Sequence, residues 1–295
     1  MKFTLLIDGG LGRILTSIPA LEQFVLDNPD STIVTYFWTP VIWGNPRLSN
    51  QVIDNNTKGL FELIKHTKII KPEPYFNTNY INSKTHLSQA WNEVVNFKET
   101  DIQVPKIFLS KFELNAPKIK NNRPVIGLQP FGSTASFSTN EVTDSSGRSL
   151  NKEFTEQLIK RLKQENFDIL LLTDKSIPFL DSSDFINYWP ENCRWMSADI
   201  ANVDYFIGID SSGQHIARCF NKPGTVIMGG TSAVNVTYPG HFQILNNLPC
   251  TYHPYRIAEF DAYLAELNNS NIMEFDSATS QTYIDSIIQD IKDHI

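Results

Sequence analysis

The chain has 295 residues, 41% hydrophobic and 19% charged, enough apolar material for one large core or two ordinary ones and too much for a disordered chain. Its net charge of −7 is spread along the length, which argues against a general nucleic-acid binder, since those carry a basic stripe. Cys193, Cys219 and Cys250 have neither disulfide-framework nor metal-ligand spacing and read as reduced thiols of a cytoplasmic protein.

The apolar run before Asp8 is too short for a signal-peptide core, and no stretch approaches the ~20 apolar residues of a membrane span. Phe3 to Ile7 reads as a strand, Asp8-Gly-Gly-Leu-Gly12 as a turn, and Ile14 to Phe24 as a helix with Pro19 inside it. Ser31 to Tyr36 reads as a second strand, and a weak α/β alternation continues to about Leu109, with Pro72 to Trp91 rich in Asn and aromatics. The polar run Asn115 to Pro124, with two prolines, reads as a linker. Beyond it come a strand at Val125 to Leu128, a Ser/Thr/Asn/Gly loop to Ser149, and a helix capped by Asn151. Ile169 to Leu172, Tyr205 to Ile209 and Thr225 to Met228 are further strands, with short helices at Ser197 to Val203 and Ser212 to Phe220. The last helix places Ile284, Ile287, Ile288, Ile291 and Ile295 on one stripe. Strands alternating with helices imply an α/β fold with mostly parallel sheets. The expected organisation is two Rossmann-like domains facing a cleft, residues 1–118 and 119–278, followed by a terminal helix, 279–295.

Three loops at strand ends carry the chemistry. Asp210-Ser-Ser-Gly-Gln-His215 joins a strand to a helix start, where free N–H groups attract phosphate. The same residues also suit a simple helix cap with His215 in the core. Gln129-Pro-Phe-Gly-Ser133 through Arg148 is long and hydrophilic, as a substrate lid is, and places a cation at a helix start, where a bound phosphate would suit it. An exposed arginine in a mobile loop is the alternative there. Asp8-Gly-Gly-Leu-Gly-Arg13 has a phosphate-cradling look without the full dinucleotide-binding spacing, and Arg13 at a helix start suggests an anion nearby; a sterically required turn with a surface arginine is the alternative. Tyr36, Phe37, Trp38 and Trp43 are read as core packing rather than sugar-stacking rings. No Asp-x-Asp metal motif and no metal spacing among the histidines occurs.

In order along the chain, five blocks resemble those of glycosyltransferase family 9, the heptosyltransferase-like enzymes of the GT-B fold. Gly12-Arg-Ile-Leu-Thr-Ser-Ile-Pro-Ala-Leu21 is similar to the family's Gly-Asp block ending in Pro-Ala-Leu. Val125 to Ser133 is similar to its strand followed by His-Pro-Gly-Ala-Ser, and Arg148 to Phe154 to its Lys/Arg-x-Trp-Pro-x-Glu-x-Phe region. Asp210 to Ala217 resembles Asp-Ser/Thr-Gly-x-x-His-x-Ala with one residue inserted, and Asn221 to Thr231 resembles x-x-Pro-strand-Gly-Pro-Thr.

The resemblance implies an inverting, metal-independent glycosyltransferase without cofactor, moving a sugar from a nucleotide-diphosphate donor to a hydroxyl acceptor such as a glycan or lipopolysaccharide. It implies an acceptor-side first domain, a donor-binding second domain and a last helix that crosses back to pack on the first. The donor set is then Gly12, Arg13, Gln129, Ser133, Arg148, Asp174, Met196, Asp210, Ser211, Ser212, Gly213, His215 and Thr231. Arg13 departs from the pattern, because the family's general base is an Asp at that place and an arginine stays protonated. Asp8, then Glu141 and Asp144, are the substitutes. The same departure leaves room for a non-catalytic nucleotide- or sugar-binding homologue, or for a nucleotide-sugar epimerase or hydrolase.

Overall fold

A computed structural model describes residues 2–115, 122–144, 146–188, 192–246 and 272–295. In the first half these form β1 (Phe3–Ile7), α1 (Leu11–Asp27), β2 (Thr32–Thr35), β3 (Val52–Asp54), α2 (Leu60–Ile64), β4 (Lys68–Ile70), α3 (Thr78–Ile81), α4 (Leu87–Asn96) and α5 (Lys111–Leu114). The second half continues with β5 (Val125–Gln129), the short strands β6 (Ser136–Phe137) and β7 (Val142–Thr143), α6 (Lys152–Gln164), β8 (Asp168–Leu172) and β9 (Ile186–Tyr188). Then follow α7 (Cys193–Asn202), β10 (Tyr205–Ile209), α8 (Ser212–Cys219), β11 (Gly224–Ile227), α9 (Ala233–Val236), β12 (Gln243–Leu245) and α10 (Ser277–His294).

Two parallel sheets result. The first has the order β3-β2-β1-β4, and the second β12-β11-β10-β5-β8-β9. The central strands β5, β8 and β10 are buried at every residue, as strands covered by helices on both faces must be. Their sequences, VIGLQ, DILLL and YFIGI, are correspondingly near-continuous apolar runs. Asn151 caps α6 as expected, its side chain accepting from Phe154 N. α7 begins a turn earlier than its apolar pattern suggests, because Asn192 accepts from the N–H groups of Arg194 and Trp195. The expected domain boundary at 118/119 lies outside the described residues.

The halves do not keep separate cores. One cluster of buried side chains runs from Leu5, Ile14 and Leu21 of the first half to Leu172, Phe206 and Ile216 of the second. α1 and α8 meet within it. Gly12 permits that approach: a Cβ there would stand 3.0 Å from Cδ2 of His215. Polar ties cross the same boundary. The Arg194 guanidinium donates to both carboxylate oxygens of Glu113 (2.5 and 2.8 Å), and also to the carbonyls of Pro40, Trp43 and Phe108. Asn235 Nδ2 donates to the carbonyls of Tyr80 and Thr85.

α10 lies elsewhere than the resemblance implies. Its isoleucines 284, 287, 288 and 291 share a core with Ile126, Leu162 and Ile207 of the second half. Asp290 accepts from the Tyr205 hydroxyl, Ser286 from Gln243, and Lys292 pairs with Glu165. The helix thus closes the outer face of the second sheet rather than crossing to the first half.

The Arg194–Glu113 pair depresses the Glu113 pKa to about 2, chiefly through the hydrogen bonds from Arg194. Arg194→Ala removes the cation paired with Glu113 and five hydrogen bonds across the halves, so it should cost roughly 2–4 kcal/mol in denaturant unfolding near neutral pH. A carboxylate held below its unfolded value of 4.5 stabilises above that value, so the difference between variant and parent should shrink as pH falls toward 2.

Candidate functional site

A cleft of about 630 Å³ opens between the halves at the carboxyl ends of β1, β5, β8 and β10, the edge where open α/β sheets bind ligands. Two helices start on it. α1 begins after Gly10 with no side-chain cap and no acidic residue in its first turn, and Gly10, Leu11 and Gly12 line the cleft. α8 begins after Ser211, again with no side-chain cap and no acidic residue in its first turn, and Ser211 and Ser212 line the cleft. Each helix start carries the partial positive charge of unpaired N–H groups. Gly213 N is satisfied internally by Gln129 Oε1 at 3.0 Å; a Cβ on Gly213 would stand 2.2 Å from that oxygen. Gly213 therefore shapes the helix start without lining the cleft.

Arg148 adds a full charge. Its Nε donates to Ser146 Oγ (2.9 Å) and its Nη1 to the Asp210 carbonyl (3.2 Å), with the Asp210 carboxylate 3.9 Å away. Nη2 takes no protein acceptor among the described residues. The cation is held rigidly on the cleft wall with a donor to spare. Gln129, Ser133, Asp174, Met196, Asp210, His215 and Thr231 line the same cleft, so the structure brings the second-half set together around one space. Asp210 is buried and accepts from Gln214 Nε2 at 3.3 Å, while Asp174 is exposed on the cleft rim.

His215 is buried, with Nδ1 2.9 Å from the Tyr238 hydroxyl. Burial pushes its pKa down to about 4. His86, whose ring centroid lies 6.4 Å away, is pushed to about 3, by burial first and then by the charge of His215. Both rings are neutral at pH 7, so His215 offers hydrogen bonds and shape rather than charge.

Arg13 lies at the cleft but its charge is spent inside the protein. Nη1 and Nη2 donate to the two oxygens of Glu73 (2.9 and 3.1 Å), and Asp8 lies 3.3 Å away. The guanidinium also lies over Tyr75 (4.8 Å to the ring centroid) and Trp91 (5.2 Å). The anion inferred from a cation at a helix start is Glu73, an internal partner. Nothing in the sequence marked Glu73, because the pair joins the first turn of α1 to a loop distant along the chain.

The three substitute bases do not meet in the cleft. Asp8 pairs with Arg13 and, at 3.4 Å, with Lys71, and does not line the cleft. Glu141 is exposed and borders a separate hollow with Lys152 and Glu274. Asp144 is buried and saturated. Oδ1 accepts from Thr134 Oγ1 and from Ser146 N and Oγ; Oδ2 accepts from Ser149 N and Oγ. Burial raises its pKa, but the bonds from Ser149, Thr134 and Ser146 outweigh this and hold it below the ordinary carboxylate value. Asp144 is the peg that ties down the Ser/Thr loop, and Lys175 Nζ clamps the carbonyls of Ser133 and Ala135 beside it. The segment read as a lid is pinned.

One stretch read as core packing, and another to which the sequence assigned no role, supply cleft residues. Trp38 lines the cleft, and its neighbour Phe37 is 75% exposed. Phe37 has φ 63°, and Trp38 N donates across it to Tyr36 O at 2.8 Å, a three-residue turn that a bulky side chain adopts at a cost of roughly 1–3 kcal/mol. Tyr75, Tyr80 and Leu87 complete the first-half wall. Their only signal was an Asn- and aromatic-rich composition between Pro72 and Trp91.

Among the described residues no group of three His, Cys, Asp or Glu side chains could hold a metal ion, and no helix is long and apolar enough to cross a membrane.

No protein-family model matches the sequence, and no curated protein matches it either. Solved structures do match along its length. A glycosyl transferase family 9 protein from Veillonella parvula superposes with TM-score 0.62 at 13% identity, covering 99% of this chain and 97% of that one. The ADP-heptose lipopolysaccharide heptosyltransferase II of E. coli gives 0.64 at 12% identity, covering 99% of each chain. The dodecameric iron-containing heptosyltransferase TibC of E. coli, in complex with ADP-D-β-D-heptose, gives 0.61 at 12% identity, covering 99% of this chain and 76% of that one. The chain has the fold of these glycosyltransferases.

Two results should follow from the buried groups. Glu73→Gln leaves Arg13 undercompensated in the interior and should cost roughly 2–4 kcal/mol in denaturant unfolding. A histidine held below its unfolded value of 6.5 takes up its proton more readily in the unfolded chain, so stability should be full above 6.5 and fall as pH drops toward 4. His215→Asn should flatten that slope in the same titration.

Proposed function

We propose that the protein is an inverting glycosyltransferase that takes a sugar from a nucleotide-diphosphate donor and passes it to a hydroxyl acceptor, the second half holding the donor and the first half the acceptor. One observation carries the reading. Two uncapped helix N-termini, one from each half, and the tethered cation Arg148 converge on a single cleft. That combination suits a diphosphate, which needs several positive partial charges at fixed positions. The overlap with a heptosyltransferase bound to ADP-D-β-D-heptose makes an ADP-sugar the first donor to test.

In this mechanism the acceptor oxygen attacks the anomeric carbon from the face opposite the diphosphate. The new C–O bond forms as the anomeric carbon–phosphate oxygen bond breaks, its electron pair leaves with the diphosphate, and configuration inverts. Helix N-termini and Arg148, rather than a metal ion, take the leaving charge. The acceptor proton passes to Asp174, the carboxylate exposed on the cleft and without an ion-pair partner among the described residues. Asp210, beside Arg148 and bonded by Gln214, orients the helix start instead.

A second reading, a binder of nucleotide sugars without transfer, draws on Arg13 and Glu73 occupying each other on the acceptor side. One set of measurements separates the two. Isothermal titration with ADP should show binding that Arg148→Ala weakens by roughly 10–100-fold, the scale of a charged hydrogen bond. Absence of binding by any nucleoside diphosphate would refute both. Asp174→Asn should keep ADP affinity and lose roughly 100-fold or more in acceptor-dependent ADP release. Tight binding with no release from any ADP-sugar, with or without acceptor, would leave the binder.

A further inference from the structure

The two walls of the cleft differ in kind. The second-half wall is polar and charged, with Arg148, Asp174, Asp210 and the α8 helix start. Among the described residues, the first-half wall has a single charged side chain, Arg13, and Glu73 holds both of its terminal nitrogens. The rest of that wall is glycine, leucine and three aromatic residues, Trp38, Tyr75 and Tyr80.

Trp38 is placed there at a cost. It follows β2 directly through the turn centred on Phe37 at φ 63°, a conformation that a bulky residue avoids unless its surroundings impose it. The turn carries the chain from strand to cleft rim within three residues. Trp38 is half-buried against the core, stacks on no other aromatic ring among the described residues, and its indole N–H finds no protein acceptor among them. An aromatic face open on one side, with an N–H donor at its edge, suits a ligand that is apolar on its face and hydroxylated at its rim. Tyr75 lines the same wall, its ring 5.5 Å from that of Tyr80 and covered by the Arg13 guanidinium.

We propose that Trp38 is the stacking platform of the acceptor subsite, and that the acceptor presents to it the apolar face of an uncharged sugar ring. This rests on the transferase reading. It selects among acceptors by charge. A sugar acid or sugar phosphate would lose its hydration against a wall whose cation is already committed, whereas a neutral pyranose would lose little and gain the ring contact. Trp38 is then a specificity-determining residue, and Phe37 the strained hinge that positions it.

The test uses the full chain saturated with ADP, and two families of probes, neutral methyl hexopyranosides and the matching hexose 6-phosphates. Saturation-transfer NMR and titration should show a neutral glycoside binding and taking magnetisation from aromatic protons. Trp38→Ala should weaken it by about tenfold, about 1.4 kcal/mol, and Trp38→Phe should restore most of the affinity. The phosphates should bind no tighter than their neutral counterparts. ADP affinity, measured in parallel, reports on the donor half alone. If ADP binds but no neutral glycoside does, or if the phosphates bind tighter and Trp38→Ala changes nothing, the acceptor proposal is wrong while the donor reading stands. If ADP itself does not bind, the donor reading fails first.

Discussion

The site depends on the crossing of α1 and α8. Each helix follows an inner strand of its own sheet, and each starts at that strand's carboxyl end. Gly12 lets the His215 ring lie where a Cβ would otherwise stand, so the helices approach closely and both N-termini open on one cleft. Gly213, wedged against Gln129 and Phe206, fixes the second start in the same way. Neither helix end has a side-chain cap. The first-turn N–H groups left open at each end have to be satisfied by something, and an anion at their meeting point satisfies several together. The polar ties at Arg194 and Asn235, on α7 and α9, hold the halves at that spacing.

The charge distribution separates binding from chemistry. Arg148 is tethered by Ser146 and Asp210 but keeps a donor for a ligand. Arg13, at the other helix start, is neutralised by Glu73 and covered by aromatic rings. One wall therefore keeps a cation with a free donor and the other becomes electrically quiet. Arg13 also stands where the resembled sequence pattern has a carboxylate, and in the proposed reaction proton removal therefore falls to Asp174.

Much of this was legible in the sequence. The runs VIGLQ, DILLL and YFIGI announce buried parallel strands, and the Asp210 to His215 turn announces a helix start at a strand end. The second-half site residues were readable because they sit in short local blocks next to those strands. What was not legible depends on pairings across the fold. Arg13 looked like a ligand for an external anion because Glu73 is far along the chain. Asp144 looked like a spare carboxylate because its five hydrogen bonds depend on how the loop closes on itself. α10 has an apolar stripe that fits any apolar surface, and the stripe does not say which half offers it. Trp38 read as core because composition does not show that a strained turn at Phe37 brings it to the cleft.

The most direct test is where a nucleoside diphosphate sits. Backbone amide ¹⁵N and ¹H shifts followed during ADP titration should move most at Leu11 and Gly12 of α1 and at Ser211 and Ser212 at the start of α8, along one common saturation curve. Saturable ADP binding that leaves both helix starts unmoved while shifting residues elsewhere would contradict the account.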